Sequence, residues 1–137
     1  MNNNKAPQFT LKVFSVFMIF GGTIRLLAER RIFESFLIGE LWSSHPYFIY
    51  IYRVLGAFVI FAGIVVFMIA RAPLRYKQLL KACSLCFIFI ACVMFLGGLL
   101  LRMSLLHYAF DVTFCIILAW LCFVLSKNNS RIPPDGK

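Results

Sequence analysis

Four apolar stretches, each close to the length needed to cross a bilayer, leave this chain few ways to fold. They cover roughly 9–28, 47–70, 79–101 and 108–126. A helix rises about 1.5 Å per residue and a hydrocarbon core is about 30 Å thick, so some ~20 apolar residues make one crossing. With 62% of 137 residues hydrophobic, four crossings use most of the chain and leave no room for a separate soluble domain. The first run reads as a span rather than a cleaved leader, since Glu29-Arg30-Arg31 follows it instead of a small-residue cleavage site. The predicted layout is a polar arm over 1–8, a transmembrane domain over 9–126 and a disordered tail over 127–137.

The net charge of +9 acquires its meaning from that layout. With the N-terminus placed inside, the inner segments hold Lys5, Lys12, Arg71, Arg75, Lys77, Lys81, Lys127, Arg131 and Lys137. The outer segments and outer helix ends hold Arg25, Arg30, Arg31, Arg53 and Arg102. The excess near 71–81, which carries no acid, predicts both termini in the cytoplasm. No nucleic-acid-reading module accompanies the charge, so nucleic acid is not an expected partner.

The connection over 29–46 differs from the others. Ile32, Phe33, Phe36, Leu37 and Leu41 fall at helical spacing while Arg30, Arg31, Glu34 and Glu40 lie elsewhere, predicting an amphipathic segment along the outer surface. Trp42, Tyr47, Tyr50 and Tyr52 form an aromatic belt at the same level. The connection at 103–107 is short, which makes the third and fourth spans antiparallel neighbours.

Small residues recur at heptad spacing in every span: Ser15 and Gly22; Gly56, Gly63 and Ala70; Ser84, Ala91 and Gly98; Cys115 and Cys122. Such residues let backbones approach closely, which is what favours association where lipid is as apolar as leucine. A seven-residue period keeps the seam facing its neighbour with a left-handed crossing. The expected fold is therefore an all-α, left-handed four-helix transmembrane bundle packed through Gly22, Gly56, Gly63 and Gly98, with an outer amphipathic segment. A faint internal repeat pairs Gly21-Gly22 and Arg25 with Gly97-Gly98 and Arg102.

Four ionisable residues lie within or beside the spans: Arg25, Arg53, Arg102 and Asp111. Charge in hydrocarbon is costly and usually faces protein or water. Each stands three or four residues from a small seam residue, so all four are expected to point into the bundle near its outer end. Arg102 and Asp111 flank the short connection and are expected to pair. Arg25 is expected to pair with Glu29 at i,i+4. This layer has two readings: a structural network, or a surplus of positive charge holding the headgroup of an anionic lipid or fatty acid.

Other chemistry has thinner support. Cys83-x-x-Cys86 invites comparison with membrane thiol oxidases. It falls on the expected cytoplasmic side, however, and no second cysteine pair stands in an outer loop. All five cysteines (83, 86, 92, 115 and 122) lie in the expected spans and read as small packing residues. His45 and His107 precede outer helix starts without a metal-binding cluster, and read as interfacial polar residues. No catalytic residue, metal site or cofactor is predicted.

Gly21-Gly22 with Arg25, then Tyr52-Arg53-Val54-Leu55-Gly56, then Gly97-Gly98 with Arg102 resemble the small four-span bacterial membrane proteins called BphX-like, and more loosely the DoxX-like group. That resemblance implies a four-helix membrane bundle with no catalytic residues to carry over. The long connection over 29–44 has no counterpart in the pattern. The expectation is a non-catalytic accessory or interaction subunit, with the lipid bilayer and a membrane-protein partner or second copy as its neighbours. The alternative is a binder or carrier of an amphipathic anion.

Overall fold

The computed structural model describes residues 5–27, 29–31, 43, 45–103 and 105–128. Its four long helices are α1 (Lys5–Leu26), α2 (Pro46–Arg71), α3 (Lys77–Leu100) and α4 (Leu105–Asn128), with no strand among the described residues. All four are long and apolar enough to cross a membrane, α4 over Tyr108–Asn128. Most of the amphipathic segment expected over 29–46, including Glu34, Glu40 and Trp42, lies outside the described residues. So do residues 1–4 of the expected arm and 129–137 of the expected tail, whereas Lys127 and Asn128 belong to α4.

The helix ends have local causes. α1 begins at Lys5 rather than Phe9, and it carries Pro7 in its first turn, where a missing N–H breaks no intrahelical bond. Gln8 Nε2 then donates to the Ala70 carbonyl at 2.8 Å, tying the start of α1 to the end of α2. α2 opens with Pro46 as its first residue, and the Tyr47 N–H donates to His45 Nδ1 at 3.2 Å. His45 is thus an N-cap, a role that takes up one of the donors a helix start leaves unpaired. At the other end of α2, Pro73 stops the helix, and a turn follows in which the Arg75 and Tyr76 N–H groups donate to the Ala72 carbonyl.

The end of α3 differs from the sequence expectation. Arg102 N–H donates to the Leu99 carbonyl at 3.1 Å and Met103 N–H to the Gly98 carbonyl at 3.0 Å. These two bonds are those of a Schellman motif, and the residue between the cap and Met103 is Arg102 at φ 51°. A left-handed backbone costs an L-residue about 1 kcal/mol or more, which glycine would avoid. Arg102→Gly is therefore expected to stabilise the α3 end by roughly 0.5–1 kcal/mol in detergent melts. A clear loss of stability would show instead that the guanidinium makes a contact worth more than the backbone strain.

The chain divides into two compact units, Val13–Met68 and Met1–Lys12 with Ile69–Lys137. In the first, α1 and α2 run antiparallel and meet backbone to backbone. A Cβ on Gly22 would lie 2.8 Å from the Gly56 carbonyl oxygen, and one on Gly56 would lie 2.6 Å from the Leu26 nitrogen. Further along, a Cβ on Gly63 would meet Met18 Cβ and the Ser15 carbonyl at 3.1 Å. At these glycines α1 and α2 meet through backbone with the Ile19, Met18 and Ile60 side chains packed beside it, an arrangement that gains dispersion where no hydrophobic effect operates.

In the second unit α3 packs on α4. The buried positions on α3 are Leu80, Ser84, Phe87, Ala91 and Gly98, in steps of four, three, four and seven that keep one helix face. Tyr108, Cys115, Leu118, Cys122 and Leu125 form the matching stripe on α4. Ser84 Oγ donates to the Ala119 carbonyl at 2.9 Å across the interface. Gly98 lies beneath the Tyr108 ring, whose other neighbour is Phe95, edge-on at 6.2 Å. Outward faces carry large apolar groups, among them Phe20, Phe58, Phe89, Phe110 and Trp120. Such surface would be an aggregation liability in water and is the natural lipid-facing coat of a membrane helix. Exposed Thr23 returns its hydroxyl to the Ile19 carbonyl at 2.8 Å, so that no unpaired polar group is presented there.

Candidate functional site

Arg53 has the most distinctive surroundings of the span-located charges. It lies on α2 one turn before Gly56 and is exposed. With Leu26 from the end of α1 and Pro46, Ile49, Tyr50, Val54 and Ala57 from α2, it lines an open surface depression. Apart from Arg53 the walls are alkyl or aromatic, so a single guanidinium stands over an apolar floor. This corrects the expectation that Arg53 points into the seam. The buried series Gly56, Gly63, Val66 and Ala70 advances by seven, three and four, the spacing of one helix face. Carried back from Gly56, it reaches Tyr52, which is half-buried and stacked on Phe48 at 5.8 Å. Arg53 is the next residue round the helix, and at about 100° per residue that moves it off the seam.

Arg25 does continue the α1 stripe of Leu11, Ser15, Met18 and Gly22, and is half-buried. It occupies the last turn of α1, where a cation complements the helix dipole, and its backbone runs beside Gly56. Glu29 is exposed and lies beyond the end of α1 at Leu26. The i,i+4 relation expected between Arg25 and Glu29 therefore has no helix to carry it.

In the other unit, Asp111 is half-buried on α4, between Tyr108 and Cys115 along the packed stripe. Arg102 is exposed, outside α3, in the Schellman turn. The inward-pointing Arg102 expected from its distance to Gly98 is thus corrected. The helix ends at Leu100, so counting four residues from Gly98 no longer returns to the same face. The two Gly-Gly-Arg motifs consequently differ. Gly22 meets the backbone of α2 and its arginine stays helical, while Gly98 meets an aromatic ring and its arginine terminates the helix. The first glycine of each pair, Gly21 or Gly97, has nothing within 4 Å of its Cβ position.

The five cysteines are free, with Cys115 and Cys122 buried on the α4 stripe and Cys86 exposed. Cys83 and Cys86 are therefore not joined by a disulfide. Among the described residues no group of three His, Cys, Asp or Glu side chains is placed to hold a metal ion. Two residues with structural roles escaped the sequence reading. His45 caps α2, a role hinted at by the His45-Pro46 pair, and Arg102 takes a conformation that favours glycine, for which the sequence carries no signal.

The four apolar helices place the chain in the class of multi-pass α-helical membrane proteins. Comparison with protein-family models, curated proteins and solved structures yields no match.

Proposed function

We propose that this is a small non-catalytic protein of a bacterial inner membrane that holds an amphipathic anion, a lipid or a fatty acid, beside Arg53. The observation that carries this reading is the exposed guanidinium over an apolar depression formed by Leu26, Ile49, Tyr50, Val54 and Ala57. Such a site offers a headgroup one charge-assisted contact and leaves an acyl chain on apolar side chains. Tyr47 and Tyr50, both exposed beside it, are the residue type that settles at headgroup depth. The test is native mass spectrometry of the protein purified from its membrane. The wild type should retain an anionic amphiphile in stoichiometric amount, and Arg53→Gln should lose it without a change in melting temperature. Retention by Arg53→Gln would reject the site.

A second reading, an accessory or interaction subunit with a structural polar layer, draws support from Arg25 and Asp111. Both are half-buried and each continues the packed stripe of its own helix. On this reading Arg25 in one unit and Asp111 in the other would each serve the packing of its own helix pair, with Arg53 and Glu29 beside the first and Arg102 beside the second, and a membrane-protein partner or second copy would cover them. In either case the bundle crosses left-handed, as heptad packing favours, and the cationic connection at 71–81 faces the cytoplasm with both termini. A reporter fused near residue 76 reads out that orientation, and periplasmic activity there would reverse it. The resemblance to BphX-like proteins agrees with both readings and adds no site.

A further inference from the structure

We infer that the end of the α3–α4 unit opposite Asp111 is a binding surface for anionic phospholipid headgroups. It is separate from the Arg53 depression and makes different contacts. The antiparallel register set by Ser84 with Ala119 and by Gly98 with Tyr108 brings the start of α3 beside the end of α4. That places Lys77 and Lys81 at the same end as Lys127. The turn into α3 adds Arg75, and the Gln8–Ala70 bond brings in the start of α1 with Lys5 and the end of α2 with Arg71. Lys5, Arg71, Arg75, Lys81 and Lys127 are exposed, and Lys77 is half-buried.

Among the described residues acid is scarce beside these cations. Among the described residues of the unit the one carboxylate is Asp111, sixteen residues before Lys127 on the same helix and so roughly 24 Å away along its axis. Arg75 and Lys77 line a second surface depression with Tyr76, Gln78, Leu79 and Ala82. The Arg75 guanidinium lies 5.8 Å from the centre of the Tyr76 ring, which steadies it on an aromatic face.

Lipid is favoured over other polyanions because of depth. Lys77 is the first residue of a helix apolar enough to span, and within two turns of it Leu79 and Leu85 are already exposed. The cations therefore sit at the rim of the hydrocarbon, at the level of phosphate groups, with apolar surface directly beside them for acyl chains. A nucleic acid or an acidic protein would match the charge and leave that apolar rim bare. Juxtamembrane clusters of this size attract anionic leaflets, each cation adding to the attraction and salt screening it.

The test uses the full chain in neutral detergent, where insertion orientation plays no part, titrated with phosphatidylglycerol or phosphatidylcholine and read by native mass spectrometry. The wild type should prefer phosphatidylglycerol by at least about tenfold, and ~0.5 M salt should erode the preference. Arg75→Gln, Lys77→Gln and Lys81→Gln together should bring it close to parity while leaving any molecule held at Arg53 in place. Arg53→Gln should leave the preference intact. Equal binding of both lipids by the wild type, or an unchanged preference in the triple variant, would overturn the proposal. So would the preference disappearing only with Arg53→Gln, or oligonucleotide displacing phosphatidylglycerol at equal charge. A misfolded triple variant is recognised by its melt, and Arg75→Lys with Lys77→Arg, which keeps the charge, should then restore binding.

Discussion

Gly56→Leu is expected to be among the most damaging single substitutions in this protein. Glycine at this position lets α2 lie against the backbone of α1, and what a Cβ would meet is the Leu26 nitrogen at 2.6 Å and the Gly22 carbonyl oxygen at 2.8 Å. Backbone cannot swing aside as a side chain can, so the helices must separate along their whole contact. Overpacking of this kind typically costs about 1–3 kcal/mol, and more where the obstacle is backbone. The close approach is also what favours association in lipid, so widening it removes dispersion contacts that nothing replaces. The expected result is failure to accumulate, or a large drop in melting temperature in detergent. Gly21→Leu, on the open side of the same helix, should behave almost as wild type. Equal tolerance of both changes would show that α1 and α2 do not meet at Gly56.

The second large effect is expected at the contact between Gly98 and Tyr108. The ring atoms of Tyr108 lie 2.6–2.8 Å from the place a Cβ would take on Gly98, and the residue is buried to 8% exposure. Tyr108→Ala removes a packed aromatic and should cost on the order of 3–5 kcal/mol, the usual range for aromatic truncation in a core. Gly98→Ala should cost less, because the obstacle is a ring able to turn, though turning disturbs its edge contact with Phe95. The discriminating measurement is a double-mutant cycle. In a Tyr108→Leu background Gly98→Ala should lose much of its effect, giving a coupling of about 0.5–3 kcal/mol as expected for residues in contact. Strict additivity of the two changes would place the ring elsewhere.

Both predictions rest on glycines that the sequence alone marked, while the Tyr108 ring over Gly98 came only from the structure, and the reason is physical. Apolar length is a property of composition, so four helices able to cross a membrane are readable without any tertiary information. The heptad recurrence of small residues is a property of spacing. Every member of that series, from Ser15 and Gly22 to Cys115 and Cys122, is buried. The direction of individual charges was less legible. A rule of three or four residues spans two adjacent positions on a helix, and Arg53 and Tyr52 fall on either side of that tolerance. Only the register of α2 against α1 put tyrosine toward the seam and arginine toward the depression.

Helix ends mark the other limit. The run of apolar residues passes through Leu101 without a break, so the sequence placed Arg102 on the helix with Gly98. The structure instead closes α3 at Leu100 and bends Arg102 into a left-handed conformation, because the Gly98 and Leu99 carbonyls find their donors in that turn. The His45 cap is similar, since a ring nitrogen can serve as acceptor only once the backbone ahead of it has turned. What the sequence determined by itself was which of the described helices are long and apolar enough to cross a membrane and which residues are small enough to let them touch, all of which depend on residue type and period. What only the tertiary structure decided was where each charge lies, because a side chain's direction depends on the phase of its helix against a neighbour and on where the helix ends, and both are set by contacts between residues distant in the chain.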